Sequence, residues 1–418
     1  MTKATAPNSA ETAKAAAKAP ATATRQNSPH VLIVEDDTST RLLLESLIRR
    51  LWNDSRIESF GEVQSALDAW RLHGADLALV DIDLPGVGGL ALLEQIAREP
   101  SRATTSVIIS HHKDRAIVLQ AMKYRARDYI VKPFTARDLM QRLSDLMQFA
   151  PSKQLAAAGG EQHRREALER LLRDAIGFRR LSLPIDPELV EKMEAWHLQG
   201  ELDKARILEH WVLEPALVAR LLGAANSGPY NTSGQAVSHF AQALDQLDPG
   251  TICNLAIALA LQPGSTLAAP ELRDLAEDIR ARQRGIYRQV VALGASVRTE
   301  LALYATACAL HRIGVLAVLQ LIQAWMEQGG QLSAEELTEL VKRYGPEADD
   351  AIKTLWLIPQ QLRDLSRAPD EKPRGAPSQP LMLMRIAGLR FSDEPTGEHS
   401  EELRRLCERA GLPPPRVA

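Results

Sequence analysis

The stretch Leu77-Ala-Leu-Val-Asp81-Ile-Asp-Leu-Pro85-Gly-Val-Gly-Gly89 decides how the first third of this 418-residue chain is read. Four apolar residues run into an aspartate, and proline and glycines follow at once. A short apolar run bounded by turn residues is the signature of a strand buried on both faces. An ionisable side chain at its carboxyl end stands where open parallel sheets place their chemistry.

Working outward, four more short runs flank it: His30-Val-Leu-Ile-Val34, Arg56-Ile-Glu-Ser-Phe60, Ser106-Val-Ile-Ile-Ser110 and Asp128-Tyr-Ile-Val131. Between them lie segments of helical spacing, such as Leu42-Leu43-Leu44 with Leu47, Ile48 and Leu51. Five strands alternating with five helices predict an α/β doubly wound, five-stranded parallel sheet. That sheet gathers Glu35-Asp36-Asp37, Asp81, Ser110 and Lys132-Pro133 at one edge. Acidic side chains meeting there repel one another unless a hard cation lies between them, and Mg2+ suits carboxylates, a backbone carbonyl and water. A carboxylate beside Mg2+ and a lysine ammonium is set up for phosphoryl transfer.

These residues, at spacings of 45 from Asp36 to Asp81, 29 from Asp81 to Ser110 and 51 from Asp81 to Lys132, resemble the receiver domain of bacterial response regulators over roughly residues 29–149. The resemblance implies a flavodoxin-like fold with Asp81 as phosphoacceptor. It implies Asp36 as a direct Mg2+ ligand, Glu35 acting through water, and the backbone carbonyl of Asp83 completing the site. Ser110 and Lys132 would bind the phosphoryl oxygens, a cis bond would precede Pro133, and Tyr129 would be the aromatic switch. Two departures stand out. His111-His112 brings bulk where the family commonly has a small residue, which would crowd the phosphoryl pocket or line its loop. Tyr124-Arg-Ala-Arg-Asp128 lacks the usual glycine.

After Phe149, Ala150-Pro-Ser-Lys-Gln and Ala156-Ala-Ala-Gly-Gly160 read as a linker. Beyond it the strand signal disappears. Arg164–Ile176, Pro187–Leu198, Ile207–Ala225 and Leu301–Gln328 have helical periodicity, so the second domain is expected to be all-α. The run Glu214-Pro-Ala-Leu-Val-Ala-Arg-Leu-Leu-Gly-Ala-Ala-Asn226-Ser227-Gly-Pro-Tyr230, with Ala309-Leu-His311-Arg312-Ile-Gly314, resembles HDOD domains over roughly residues 172–366. These are relatives of metal-dependent HD phosphohydrolases that generally lack the metal site. The alternative is a receiver-regulated phosphohydrolase acting on cyclic di-GMP or another nucleotide. It needs a His-Asp pair, and Arg312 stands where the aspartate would be. His311, His239 and His210 are expected as helix-end residues bonded to backbone carbonyls. Asn226 and Ser227 are expected as caps.

The resulting organisation is a disordered leader over 1–28, the receiver over 29–149, a linker and connecting helix over 150–178, an HDOD-like output domain over 179–366, and a proline-rich linker with a short helical tail over 367–418. The connecting helix either transmits the signal or forms a seam between two copies. A net charge of −3 and dispersed arginines give no nucleic-acid footprint, so DNA binding is not expected. Cys253, Cys308 and Cys407 are too scattered for a zinc site or a disulfide framework. No run approaches the ~18 apolar residues of a membrane span, and a cytoplasmic location is expected. The expected partners are a sensor histidine kinase or phosphotransfer protein and a downstream protein. The expected function is a two-component response regulator whose non-catalytic output domain binds a protein or ligand.

Overall fold

Leu77–Asp81 forms β3, the fully buried central strand of a five-stranded parallel sheet. In the computed structural model, which describes residues 28–412 apart from 87, 100–103, 113, 148–160, 295–299, 374, 376 and 392–396, the strand order is β2-β1-β3-β4-β5. The other strands are β1 (His30–Val34), β2 (Arg56–Phe60), β4 (Thr105–Ser110) and β5 (Asp128–Val131). Residues 1–27 of the leader, residues 150–160 of the linker and the terminal prolines lie outside the described residues.

Helices α1 (Thr38–Leu51) and α5 (Ala136–Leu146) cover one face of the sheet. Helices α2 (Val63–His73), α3 (Gly89–Arg98) and α4 (Arg115–Lys123) cover the other. Strand alternation explains the two cores. Val31, Ile33 and Leu79 point to the α1 side, and Leu32, Val34 and Val80 to the α3 side. The second core closes within the sheet domain, whereas the first is continuous with the core of the helical domain.

The remaining described elements are helical: α6 (Glu161–Gly177), α7 (Pro187–Gln199), α8 (Lys204–Trp211), α9 (Pro215–Ala225), α10 (Phe240–Gln246), α11 (Pro249–Ala260), α12 (Pro270–Gly294), α13 (Leu301–Ala309), α14 (Ile313–Met326), α15 (Ala334–Leu355), α16 (Gln360–Arg367), α17 (Gln379–Phe391) and α18 (Gly397–Ala410). Pro215 breaks the expected Ile207–Ala225 helix in two, taking the first-turn position where its missing N–H is harmless. Leu301–Met326 is long and apolar enough to cross a membrane by length and composition, contrary to the expectation from its sequence. It is two helices broken at Arg312, which adopts a left-handed φ of 57°, and 83% of its apolar window is buried in the domain.

Helix α6 is not a free connector: Leu168 and Leu172 are fully buried, and Arg165 reaches Glu336 and Glu339 of α15. The apolar face that a seam between two copies would use is thereby buried inside the chain. Residues 379–391, within the stretch expected as a proline-rich linker and short helical tail, form α17, which inserts Leu383, Met384 and Ile386 into the core. Helix α18, Gly397–Ala410, is the short helix expected in the tail.

Candidate phosphoryl-transfer site

Asp81 ends β3 with 4% of its surface exposed, directly beside Lys132 and Glu35. Lys132 Nζ lies 2.7 Å from Asp81 Oδ2 and 2.7 Å from Glu35 Oε2. Glu35 follows β1, and Lys132 follows β5 and precedes a cis bond to Pro133. Carboxylate oxygens of Glu35, Asp36 and Asp81 come within 4.8 Å of one another. The structure therefore brings the sequence-predicted acids and the lysine together.

The acidic loop is held from both sides. Asp37 caps α1, its Oδ1 accepting from Thr40 N at 2.7 Å and from Ser39 Oγ at 2.6 Å. Arg41, unmarked in the sequence reading, donates to the carbonyls of Glu35 at 2.5 Å and Asp36 at 3.2 Å. Asp81 Oδ1 accepts from Asp83 N at 3.0 Å, which orients the Asp81 carboxylate. Gly89 has no room for a side chain: a Cβ there would sit 1.8 Å from the carbonyl oxygen of Asp81.

Burial pushes the Glu35 pKa up to about 8; the Lys132 ammonium pulls it down and the Asp81 charge pushes it further up. Burial opposes the Lys132 charge, but Glu35 and Asp81 outweigh it and raise its pKa. Without a second cation, Glu35 keeps a proton at neutral pH. Glu35 Oε1 is buried with no hydrogen-bond partner, beside the carboxylates of Asp36 and Asp81. This donor set fits Mg2+.

Ser110 is fully buried at the end of β4, its Oγ accepting from His112 N at 3.1 Å. His112 does not block the pocket, as its bulk suggested. Its ring turns aside, Nε2 lying 2.7 Å from Asp83 Oδ1. The hydroxyl of half-buried Tyr129 donates to His112 O at 3.0 Å, tying it to the Ser110 loop. Arg125 takes the left-handed φ of 64° in the segment that lacks its glycine.

The other side of this pocket is a surprise. Helices α7 and α11 of the helical domain face it across a cavity of about 630 Å³, with Glu194, His197, Asp248 and Asn254 among its walls. No periodicity in the sequence announces this arrangement.

In the helical domain, His311 is 1% exposed. Its Nδ1 lies 2.8 Å from the Ser366 carbonyl, and Arg282 Nε donates to its Nε2 at 3.3 Å. These partners assign a neutral ring with the proton on Nδ1, and burial lowers its pKa to about 4. The 3.7 Å approach of Asp370 to Nε2 is therefore not an ion pair. Asp370 is bonded instead by Arg312 at 2.5 Å and Arg282 at 2.7 Å. His311 matches its expected role, and His210 also sits at a helix end with Nδ1 2.9 Å from a backbone carbonyl, that of Arg206, whereas His239 does not. His210 is exposed and packs beside Trp196 and Trp211, and His239 caps α10 by accepting from Gln242 N. Asn226 and Ser227 do cap α9, through Leu222 O and Ala224 O.

Comparison with known proteins agrees with both halves. Residues 31–144 match the response regulator receiver domain, and residues 183–369 match the HDOD domain. The chain is 30% identical over 165 residues to the cyclic di-GMP phosphodiesterase response regulator RpfG of Xanthomonas campestris pv. campestris, covering 36% of this chain and 43% of that protein. It is 29% identical over 130 residues to the response regulator ArlR of Staphylococcus aureus, covering 31% of this chain and 58% of that protein. It thus spans about half the length of the curated relatives it matches. Among solved structures, a CheY-like receiver domain protein from Methanospirillum hungatei JF-1 aligns at 26% identity and TM-score 0.26, over 28% of this chain and 93% of that one. A response regulator from Thermotoga maritima aligns at 26% identity and TM-score 0.26, over 29% of this chain and 98% of that one. This chain belongs to the response regulators, with a receiver domain joined to an HDOD domain.

Proposed function

We propose that Asp81 accepts a phosphoryl group from a histidine kinase or phosphotransfer protein, and that the HDOD domain passes the signal on by binding a partner rather than by catalysis. The observation that carries this reading is the Lys132 ammonium held 2.7 Å from both Asp81 and Glu35. An Asp81 oxygen attacks phosphorus in line; the new O–P bond forms as the P–N bond to the donor imidazole breaks, its electron pair returning to the ring nitrogen. Lys132 then pairs with a phosphoryl oxygen. Ser110, whose Oγ already accepts from His112, donates its own proton to another. Asp36, Asp81 and the Asp83 carbonyl, with Glu35 through water, would hold Mg2+, which when bound would neutralise charge on the transferring oxygens. Because Tyr129 is bonded to the His112 carbonyl, any movement of the Ser110 loop reaches the Tyr129 surface.

The phosphodiesterase named for the Xanthomonas relative is the second reading. Against it, Arg282 occupies the Nε2 of His311, and Arg312 and Arg282 neutralise Asp370, leaving guanidinium groups where a metal would need free ligands. The protein acts, in this proposal, in the cytoplasm with its phosphodonor. Treatment with phosphoramidate and Mg2+, followed by peptide mass spectrometry, tests the first reading. One phosphoryl group should appear on the Asp81 peptide and vanish in Asp81→Asn; its absence from the native chain overturns the assignment. Stoichiometric transition metal in the purified protein would revive the second reading.

A further inference from the structure

The receiver and the HDOD domain meet at the phosphorylation site itself. Helix α11 lies along α1, where Asn254 Nδ2 reaches Thr40 Oγ1 at 3.2 Å and Ser39 Oγ at 3.3 Å, and Gln262 Nε2 reaches Ser46 Oγ at 3.5 Å. From α7, Glu194 Oε1 accepts from the Ala136 amide at the start of α5 at 3.0 Å. Ser39 and Thr40 belong to the first turn of α1, immediately after the acidic loop, and Asp37 binds both. The hydroxyls that Asn254 holds are therefore tied directly to the phosphoryl pocket.

The charges of the cleft are one-sided. Glu194 and Asp248 of the HDOD domain join the receiver's Glu35, Asp36, Asp37, Asp81 and Asp83, and Lys132 is the one lysine among the lining residues. A phosphoryl group adds about −1.5 to −2 charges to its site. Separation of the domains removes Glu194 and Asp248 from that field and leaves every receiver residue that stabilises the phosphoryl group in place.

We infer that docking of α11 on α1 and phosphorylation of Asp81 are mutually antagonistic: the docked arrangement is the resting state, and phosphorylation releases the HDOD domain and uncovers its α7–α11 face. This inference rests on the assignment of Asp81 as phosphoacceptor. Antagonism is reciprocal by linkage, so an undocked domain raises the affinity of the receiver for a phosphoryl mimic by the same factor that the mimic favours undocking.

The chain carries its own reporter. Cys253 lies on α11, lines the cleft and is 1% exposed, whereas Cys308 is fully buried within the HDOD core. Burial pushes the Cys253 thiol up to about 12, so exposure would also restore its reactivity. The experiment alkylates the full-length protein with iodoacetamide and quantifies each cysteine by mass spectrometry, in Mg2+ alone and in Mg2+ with beryllofluoride. Binding of beryllofluoride is followed separately by fluorine NMR. The expected result is labelling of Cys253 about tenfold faster with beryllofluoride, within the ~5–150-fold span of ordinary coupling energies, with Cys308 unchanged and no effect in Asp81→Ala. Asn254→Asp, which sets a carboxylate against the Asp37 end of α1, should speed Cys253 labelling without the mimic and tighten beryllofluoride binding. Gln262→Glu repeats this at the far end of the contact. Bound beryllofluoride with unchanged Cys253 labelling, or equal rises at Cys253 and Cys308, overturns the antagonism and leaves the phosphoacceptor standing. Failure of a folded chain to bind beryllofluoride sinks the phosphoacceptor assignment, and this inference with it.

Discussion

Replacing Lys132 by methionine isolates the one cation that the chain itself supplies to the acidic pocket. The substitution keeps the length of the side chain and removes its charge. The 2.7 Å contact of Nζ with the Asp81 carboxylate is worth about 6 kcal/mol of Coulomb attraction at an effective dielectric constant of 20. Desolvation offsets most of that, and removing one partner of a buried ion pair costs about 3–5 kcal/mol. The lower end applies, because Glu35, with its pKa at about 8, already holds a proton at neutral pH and loses no ion pair. Lys132→Met should therefore lose about 3 kcal/mol of receiver stability in EDTA at neutral pH. Saturating Mg2+ should restore most of the loss, since it lies among the same carboxylates and stabilises whichever chain binds it more tightly. The assay is urea unfolding of the full chain, followed by circular dichroism, with EDTA and with Mg2+. A variant as stable as the native chain in EDTA, or equal stabilisation of both by Mg2+, would refute the reasoning.

The remaining predictions concern both domains. His311, with its pKa lowered to about 4 by burial, is neutral in the folded chain and binds its proton first when unfolded. It therefore withdraws about 3 kcal/mol of stability as pH falls from ~6.5 to ~4, and His311→Gln should flatten that part of the pH profile in urea titrations. Lys353 is fully buried between Asp349 and Ser366. Lys353→Met should cost about 3–5 kcal/mol by stranding Asp349, measured as a fall in the urea midpoint. Gly89→Ala should displace the Asp81 carbonyl and weaken beryllofluoride binding at least tenfold while Gly86→Ala, where a Cβ meets nothing within 4 Å, leaves it within about threefold despite its positive φ.

The chemistry of the receiver was legible because it sits at strand ends. Asp81, Glu35 and Lys132 each follow a short apolar run, and a parallel sheet has one place to put such residues. The helical half was less legible. The stretch from Gln379 to Phe391 is apolar apart from Gln379, Arg385 and Arg390 and carries no clear amphipathic stripe, so its helix emerges only when α12 and α18 are seen to enclose it. The break at Arg312 was hidden because a left-handed arginine has no sequence mark; the salt bridge to Asp370 that accompanies it spans 58 residues. The interdomain cleft left least trace. Its bonds join Asn254 to Ser39 and Thr40, polar residues more than 200 positions apart, and single polar contacts of that kind have no period.

That same separation in sequence gives the α1–α11 contact a consequence during synthesis. The receiver elements are complete by Leu146, and Asn254 leaves the ribosome more than 100 residues later. At translation rates of about 5–20 residues per second, each nascent chain displays an uncovered acidic pocket for roughly 5–20 seconds before its lid has been made. Every molecule passes through an open form at birth, and the closed form is an acquired state that depends on the HDOD helices arriving and packing in time.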